Sequence, residues 1–192
     1  ASCRVVIFPR ERICGMCAIC GTIDFDGRPI DRGQLVAMRD VMANRGPDHA
    51  GEWFGEGAAL GHRRLKVIDL SVQGNQPMPN EDETVWVVLN GEIYNFPELR
   101  RTLARRGHRF RSTSDTEVIV HGYEEWGEDV IKRLDGMYAL GIWDTKQRKL
   151  MLGVDRYGKK PLYVLRKGGR VHFASESKAL MGLPEFSGAI NP

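Results

Sequence analysis

The four cysteines of this chain all fall within its first twenty residues, at Cys3, Cys14, Cys17 and Cys20. Thiols placed this way suit two kinds of chemistry. Cys14-x-x-Cys17-x-x-Cys20 has the spacing of part of an iron–sulfur or metal-binding motif, with Cys3 as a fourth ligand, although the cysteine-proline ending of the bacterial pattern is absent. The second kind follows from Met16. Its removal, favoured before a small residue, leaves Cys17 with a free α-amine. That amine titrates near ~8, against about 10.4 for a lysine. A base poised near the operating pH then sits on the same residue as a nucleophilic thiol. Residues 1–16 are accordingly expected to be an upstream extension or a removed leader, because their attachment ties the amine into a peptide bond. A disulfide framework for the body is excluded, since no cysteine lies beyond Cys20.

Asn90-Gly91 is the second conspicuous pair. By itself it is a hairpin-turn signal. It also follows the apolar run Thr84 to Leu89, which reads as a strand buried on both faces. In that position a side-chain amide and a backbone N–H can both aim at a developing oxyanion, while the glycine lets a reactant approach closely. Residue types alone leave both readings standing.

These residues need elements to hold them. Ile19 to Phe25 reads as a strand closed by the turn Asp26-Gly27. Asp31 and Gln34 form a capping pair for a helix with Leu35, Met38 and Met42 on one face. Gly57–Gly61 and Leu65–Asp69 are expected strands. Pro97 suits a first helical position, with Glu98 in the first turn, Leu99 and Leu103 one turn apart, and Gly107 as the stop. Ser114 or Asp115 opens a further helix carrying Val118, Ile119, Tyr123 and Trp126. Met137–Trp143, Leu150–Val154, Leu162–Leu165 and Val171–Ala174 are strand candidates too closely spaced for helical crossovers, so antiparallel hairpins are expected. The fold class is α+β, with mostly antiparallel sheet under a few helices.

Met16-Cys-Ala-Ile-Cys-Gly-Thr-Ile-Asp-Phe-Asp-Gly27 resembles the opening of the class II glutamine amidotransferases, in particular the asparagine synthetase branch. Further motifs follow in family order: Arg45-Gly-Pro-Asp48, Gly61-His-Arg-Arg-Leu-Lys-Val-Ile-Asp-Leu70, Asn90-Gly-Glu-Ile-Tyr-Asn95, Ser114-Asp-Thr-Glu117, Asp155-Arg-Tyr-Gly-Lys-Lys-Pro-Leu-Tyr163 and Ala174-Ser-Glu-Ser-Lys-Ala-Leu180. Ala18 stands where the family has glycine, and Asn44 where it has histidine. The resemblance implies an N-terminal-nucleophile (Ntn-hydrolase) fold, a four-layer αββα sandwich of two antiparallel sheets. It implies hydrolysis of L-glutamine to L-glutamate and ammonia, with Cys17 as nucleophile and Asn90 and Gly91 as the oxyanion hole. It assigns Arg64 to the α-carboxylate of glutamine and Asp115 to its α-ammonium, with backbone groups around Leu65, Lys66, Val67 and Ile68, and Glu92, completing the pocket. A forked guanidinium suits a planar carboxylate. The glutaminase domain is expected over 17–181, with 182–192 starting a linker to a synthetase domain. ATP and Mg are expected only in that synthetase domain, and no cofactor or metal is expected in this one. The final amide acceptor is open, and so is a homodimer.

Bulk properties are those of an ordinary soluble globular domain. Of the 192 residues, 42% are hydrophobic and 28% charged, as in ordinary soluble domains. A formal net charge of +3 does not argue for nucleic acid, which calls for a concentrated basic face. The basic stretch Arg100 to Arg111 reads as a solvated helix face. No transmembrane-length run occurs, and Val5-Val6-Ile7-Phe8 is too short for a signal peptide, so a cytoplasmic protein is expected. The competing readings are the metal module and a non-catalytic domain that holds glutamine for regulation.

Overall fold

The computed structural model describes residues 16–187. Cys3, Cys14 and nearly all of the expected extension 1–16 lie outside them. The elements in chain order are β1 (Ala18–Asp24), α1 (Arg32–Asp40), β2 (His49–Gly55), β3 (Ala58–Arg64), β4 (Met78–Pro79), β5 (Val85–Ile93), α2 (Phe96–Arg105), α3 (Glu117–Trp126), β6 (Gly136–Asp144), β7 (Lys149–Val154), β8 (Tyr163–Lys167), β9 (Arg170–Ala174) and α4 (Lys178–Met181). Local chemistry explains the boundaries. The Asp31 carboxylate accepts from the Gln34 N–H and caps α1. Pro97 lies in the first turn of α2, where its missing N–H costs nothing. Gly107 takes a left-handed φ of 103° just past that helix.

Two antiparallel sheets result. One has the order β2-β3-β1-β9-β8 and the other β4-β5-β6-β7. Alternation along each strand sorts its side chains into three apolar layers. Ala18, Cys20 and Ala59 pack with Leu35, Met38 and Met42 of the α1 segment and Ala179 and Leu180 of α4. Val87, Leu89 and Leu140 pack with Leu99 and Leu103 of α2 and Val118 and Ile119 of α3. Between the sheets lie Ile19, Ile23, Leu60, Val88, Ala139, Trp143 and Phe173. The architecture is therefore helix, sheet, sheet, helix, as the resemblance implied. Phe173 reaches across the middle layer, where a Cβ added at Gly21 or at Gly141 would come within 2.4 or 2.9 Å of its ring. Both sheets leave room for that one ring.

Three expectations are corrected. Leu65–Asp69 is irregular backbone, not a strand. Both neighbours of β3 run out at its end, since Arg63 pairs with Ala18 and Arg64 with His49, so no ladder continues past residue 64. The helix expected from Ser114 or Asp115 begins at Glu117, and Asp115 points its carboxylate at the Ile93 N–H in place of capping the helix. Of the late strands, β6–β7 and β8–β9 form the expected hairpins, but β7 and β8 belong to different sheets. The strand β2 had no clear signal, because glycines and partly exposed residues interrupt its alternation.

Candidate active site

Cys17 stands one residue ahead of β1 and shares the parity of Ile19 and Ile23, which face the other sheet. Asn90 on β5 shares the parity of Val88, which faces back. The two residues therefore look into the same inter-sheet space, at the end where it opens into a cavity of about 510 Å³. Cys17 is half-buried, and its Sγ lies 3.4 Å from the Leu65 N–H donor and 3.6 Å from the Leu65 carbonyl. Burial pushes the Cys17 thiol up from its ordinary value, and the charge of Asp115 adds to this. The Leu65 contact and the Arg64 charge oppose the rise. Behind Cys17, Arg45 donates from Nε to the Cys17 carbonyl at 3.1 Å and pairs with Glu176 at 3.2 Å.

Cys20 goes the other way. It is buried under α1, and burial pushes its thiol up to about 12. Cys17 and Cys20 thus lie on opposite faces of one sheet and do not share a centre.

The cavity collects residues from segments far apart in sequence. Cys17, Arg64, Leu65, Val67 and Ile68 line one side. Asn90, Gly91, Glu92 and Asp115 line another. Lys66 is not among the lining residues; its N–H donates to the Asp48 carboxylate at 2.8 Å, which holds the loop. Arg64 is buried, with Nη1 2.7 Å from both the Ser71 carbonyl and the Asn75 Oδ1, and Nη2 on the Asp69 carbonyl. The irregular backbone after β3 wraps its guanidinium. Asp115 accepts from the Ile93 N–H at 2.9 Å. Burial raises the Asp115 carboxyl, the nearby Glu92 charge adds to the rise, and the Ile93 hydrogen bond opposes it.

The edge of β5 beside Asn90 is filled by side chains, because β4 ends before reaching it. Gln76 Oε1 accepts from the Leu89 N–H at 2.6 Å, and His62 Nε2 bonds the Leu89 carbonyl at 3.2 Å. Burial takes His62 down to about 3, so at neutral pH it is uncharged and donates from Nε2. Gly91 is obligatory on two counts: its φ is 153°, and an added Cβ would sit 2.0 Å from the Met137 carbonyl.

Several lining residues carried no site role from the sequence: Gln76 and Met137, outside the motifs, and Ser114, Thr116 and Lys160, within them. Lys160 lay in a quoted motif, and its Nζ approaches the Met16 thioether at 2.8 Å. Gln76 had no motif to mark it; its signal exists only in three dimensions, as a vacant strand edge.

Comparison with known proteins places this geometry. The glutamine amidotransferase domain family matches residues 16–192. A Bacillus subtilis asparagine synthetase (glutamine-hydrolysing) is 38% identical over 92% of this chain and 29% of its own length. An Arabidopsis thaliana protein of the same description is 43% identical over 88% of this chain and 28% of its own. The chain therefore spans under a third of these relatives. Among solved structures, a B. subtilis glutamine phosphoribosylpyrophosphate amidotransferase complexed with ADP and GMP superposes with a TM-score of 0.72 at 20% identity, over 85% of this chain and 43% of that one. That likeness shows the fold. The family match runs over the whole of the described sandwich and the cavity between its sheets, and the chain belongs to the glutamine amidotransferase domain family.

Proposed function

We propose that the chain hydrolyses L-glutamine to L-glutamate and ammonia at Cys17. One observation carries the reading. A thiol, a buried amide, a guanidinium and a carboxylate from four separate segments line a single cavity sized for a small molecule. With Cys17 at the chain start, its α-amine takes the thiol proton. The thiolate attacks the glutamine side-chain carbonyl, and the oxygen gains the negative charge. Asn90 and the Gly91 N–H donate to that oxygen. Collapse returns the proton to the leaving nitrogen, ammonia departs, and water cleaves the remaining thioester. The raised thiol makes a local base necessary, because little thiolate forms unaided. Arg64 binds the α-carboxylate with the donors its loop leaves free. Asp115, with Glu92 beside it, binds the α-ammonium, and the backbone from Leu65 to Ile68 closes the pocket.

The ammonia is proposed to feed an ATP- and Mg-dependent synthetase domain, by analogy with relatives named as glutamine-hydrolysing asparagine synthetases. A cytoplasmic location and a homodimer fit this reading. Among the described residues no helix is long and apolar enough to cross a membrane.

The test is glutamate release from protein whose mass shows Cys17 as its first residue, with mass spectrometry of the trapped Cys17 glutamyl thioester. Glutamine binding without turnover by that form would overturn the catalytic reading in favour of a glutamine sensor.

A further inference from the structure

Ser175 belongs to a motif with no assigned role, and it lies beside Asn90. It follows β9 with the parity of Phe173, so it faces the opposite sheet. It is fully buried, as is Asn90. Its backbone N–H donates to the Ile19 carbonyl at 2.9 Å, and its Oγ accepts from the Ile19 N–H at 3.0 Å. The hydroxyl oxygen is thus already receiving one donor, and the hydroxyl proton still needs an acceptor. The Asn90 amide stands 3.4 Å away, and its Oδ1 is buried without a partner when Nδ2 is the end turned to Ser175. In that arrangement the Ser175 oxygen receives two N–H donors, its proton points at nothing, and Oδ1 is orphaned.

The two ends of a carboxamide have the same shape, so rotation by half a turn changes only the hydrogen bonds. Rotated, Asn90 Oδ1 accepts from the Ser175 hydroxyl, whose proton gains its acceptor, and Nδ2 takes the buried position where no protein atom bonds it, its donors left for a ligand. Asn90 lines the same cavity as Cys17. We infer that Ser175 is a positioning residue that fixes the Asn90 amide with its N–H donors toward the cavity over Cys17. Without the hydroxyl, nothing distinguishes the two ends of the amide, and in one of them a carbonyl oxygen faces the developing oxyanion. The inference rests on the glutaminase reading for its kinetic consequence, while the orientation of the amide stands independently.

The experiment uses protein beginning at Cys17. Ser175→Ala is expected to lower kcat roughly ten- to a hundredfold, with KM for glutamine unchanged, as for a weakened oxyanion donor. Ser175→Thr, which keeps the hydroxyl, is expected to restore most of it. Adding Asn90→Ala to Ser175→Ala should cost no more than Asn90→Ala alone. Should Ser175→Ala fail to fold, the near-isosteric Ser175→Cys, a weak donor, takes its place with the same expectation. A wild-type kcat in Ser175→Ala, or fully additive losses in the double variant, overturns the inference. A neutron map of the wild-type protein decides the orientation without reference to turnover. Deuterons on the Asn90 atom away from Ser175 support the inference, and deuterons on the nearer atom overturn it. An inactive wild-type enzyme overturns the glutaminase reading alone.

Discussion

Cys17 and Cys20 are three residues apart and have opposite environments. Cys17 faces the cavity; Cys20 is sealed under α1. Cys17→Ala is expected to abolish glutamate release with folding intact. Cys20→Ala is expected to leave turnover near wild type and to cost stability as a small core deletion does. Equal loss of turnover from both would return the metal reading to consideration. The charged pair gives a second contrast. Asp115→Asn should weaken glutamine binding by about 2–5 kcal/mol, the cost of leaving a desolvated charge unpaired. Arg64→Lys should do the same and also loosen the wrap of the 65–75 backbone, since Ser71, Asn75 and Asp69 all bond its guanidinium. Calorimetric titration with glutamine on a Cys17→Ser background measures both; unchanged affinity removes that residue from the site. At this scale the sequence was most legible, because each of these side chains sits in a short contiguous motif. Ser175 was not, because its meaning lies in a contact with Asn90, 85 positions away.

The helices show where pattern reading succeeds and fails. Those of the α1 and α2 segments have an apolar stripe, a capping or proline start and one packing surface, and all three signals agree. Leu65–Asp69 has the composition of a strand, yet Val67 and Ile68 are exposed and its backbone serves Cys17 and Arg64. Composition alone does not tell a strand from a ligand-facing loop when no partner strand continues beside it. Helix α3 carries a separate device. His121 is buried, 3.2 Å from Glu124, 3.3 Å from Glu81 and 3.6 Å from Glu117, with the His108 ring centroid 5.1 Å away. Burial alone would lower it, but Glu117, Glu124 and Glu81 together carry it up to about 9. A folded value above the unfolded ~6.5 favours the charged form in the native state. The resulting stability is complete below about 6.5 and is lost as pH rises through about 9. Thermal melts of wild type should therefore fall over that window, and those of His121→Gln should be flatter there. Parallel curves would remove His121 as the cause.

On the scale of the whole molecule, the four-layer plan was legible from the family motifs and the hairpin spacing, whereas the assignment of hairpins to sheets was not, because β7 and β8 adjoin in sequence and separate in space. The proposed mechanism also makes a prediction about the chain start. Protein retaining residues 1–16 should be nearly inactive, and protein beginning Met16-Cys17 should become active once methionine is removed. Intact mass paired with glutamate release measures this. Full activity in protein whose mass proves that Ala1 to Met16 are retained would sink the α-amine mechanism. Finally, Cys17 and Asn90, the proposed nucleophile and oxyanion residue, project from different sheets, and those sheets are spaced by the ring of Phe173 lodged against Gly21 and Gly141. The aperture of the active site is therefore a property of the interior. A substitution that thins this layer, such as Phe173→Leu, touches no substrate yet should register first as slower chemistry, so the core of this domain acts as the gauge block that sets its catalytic tolerance.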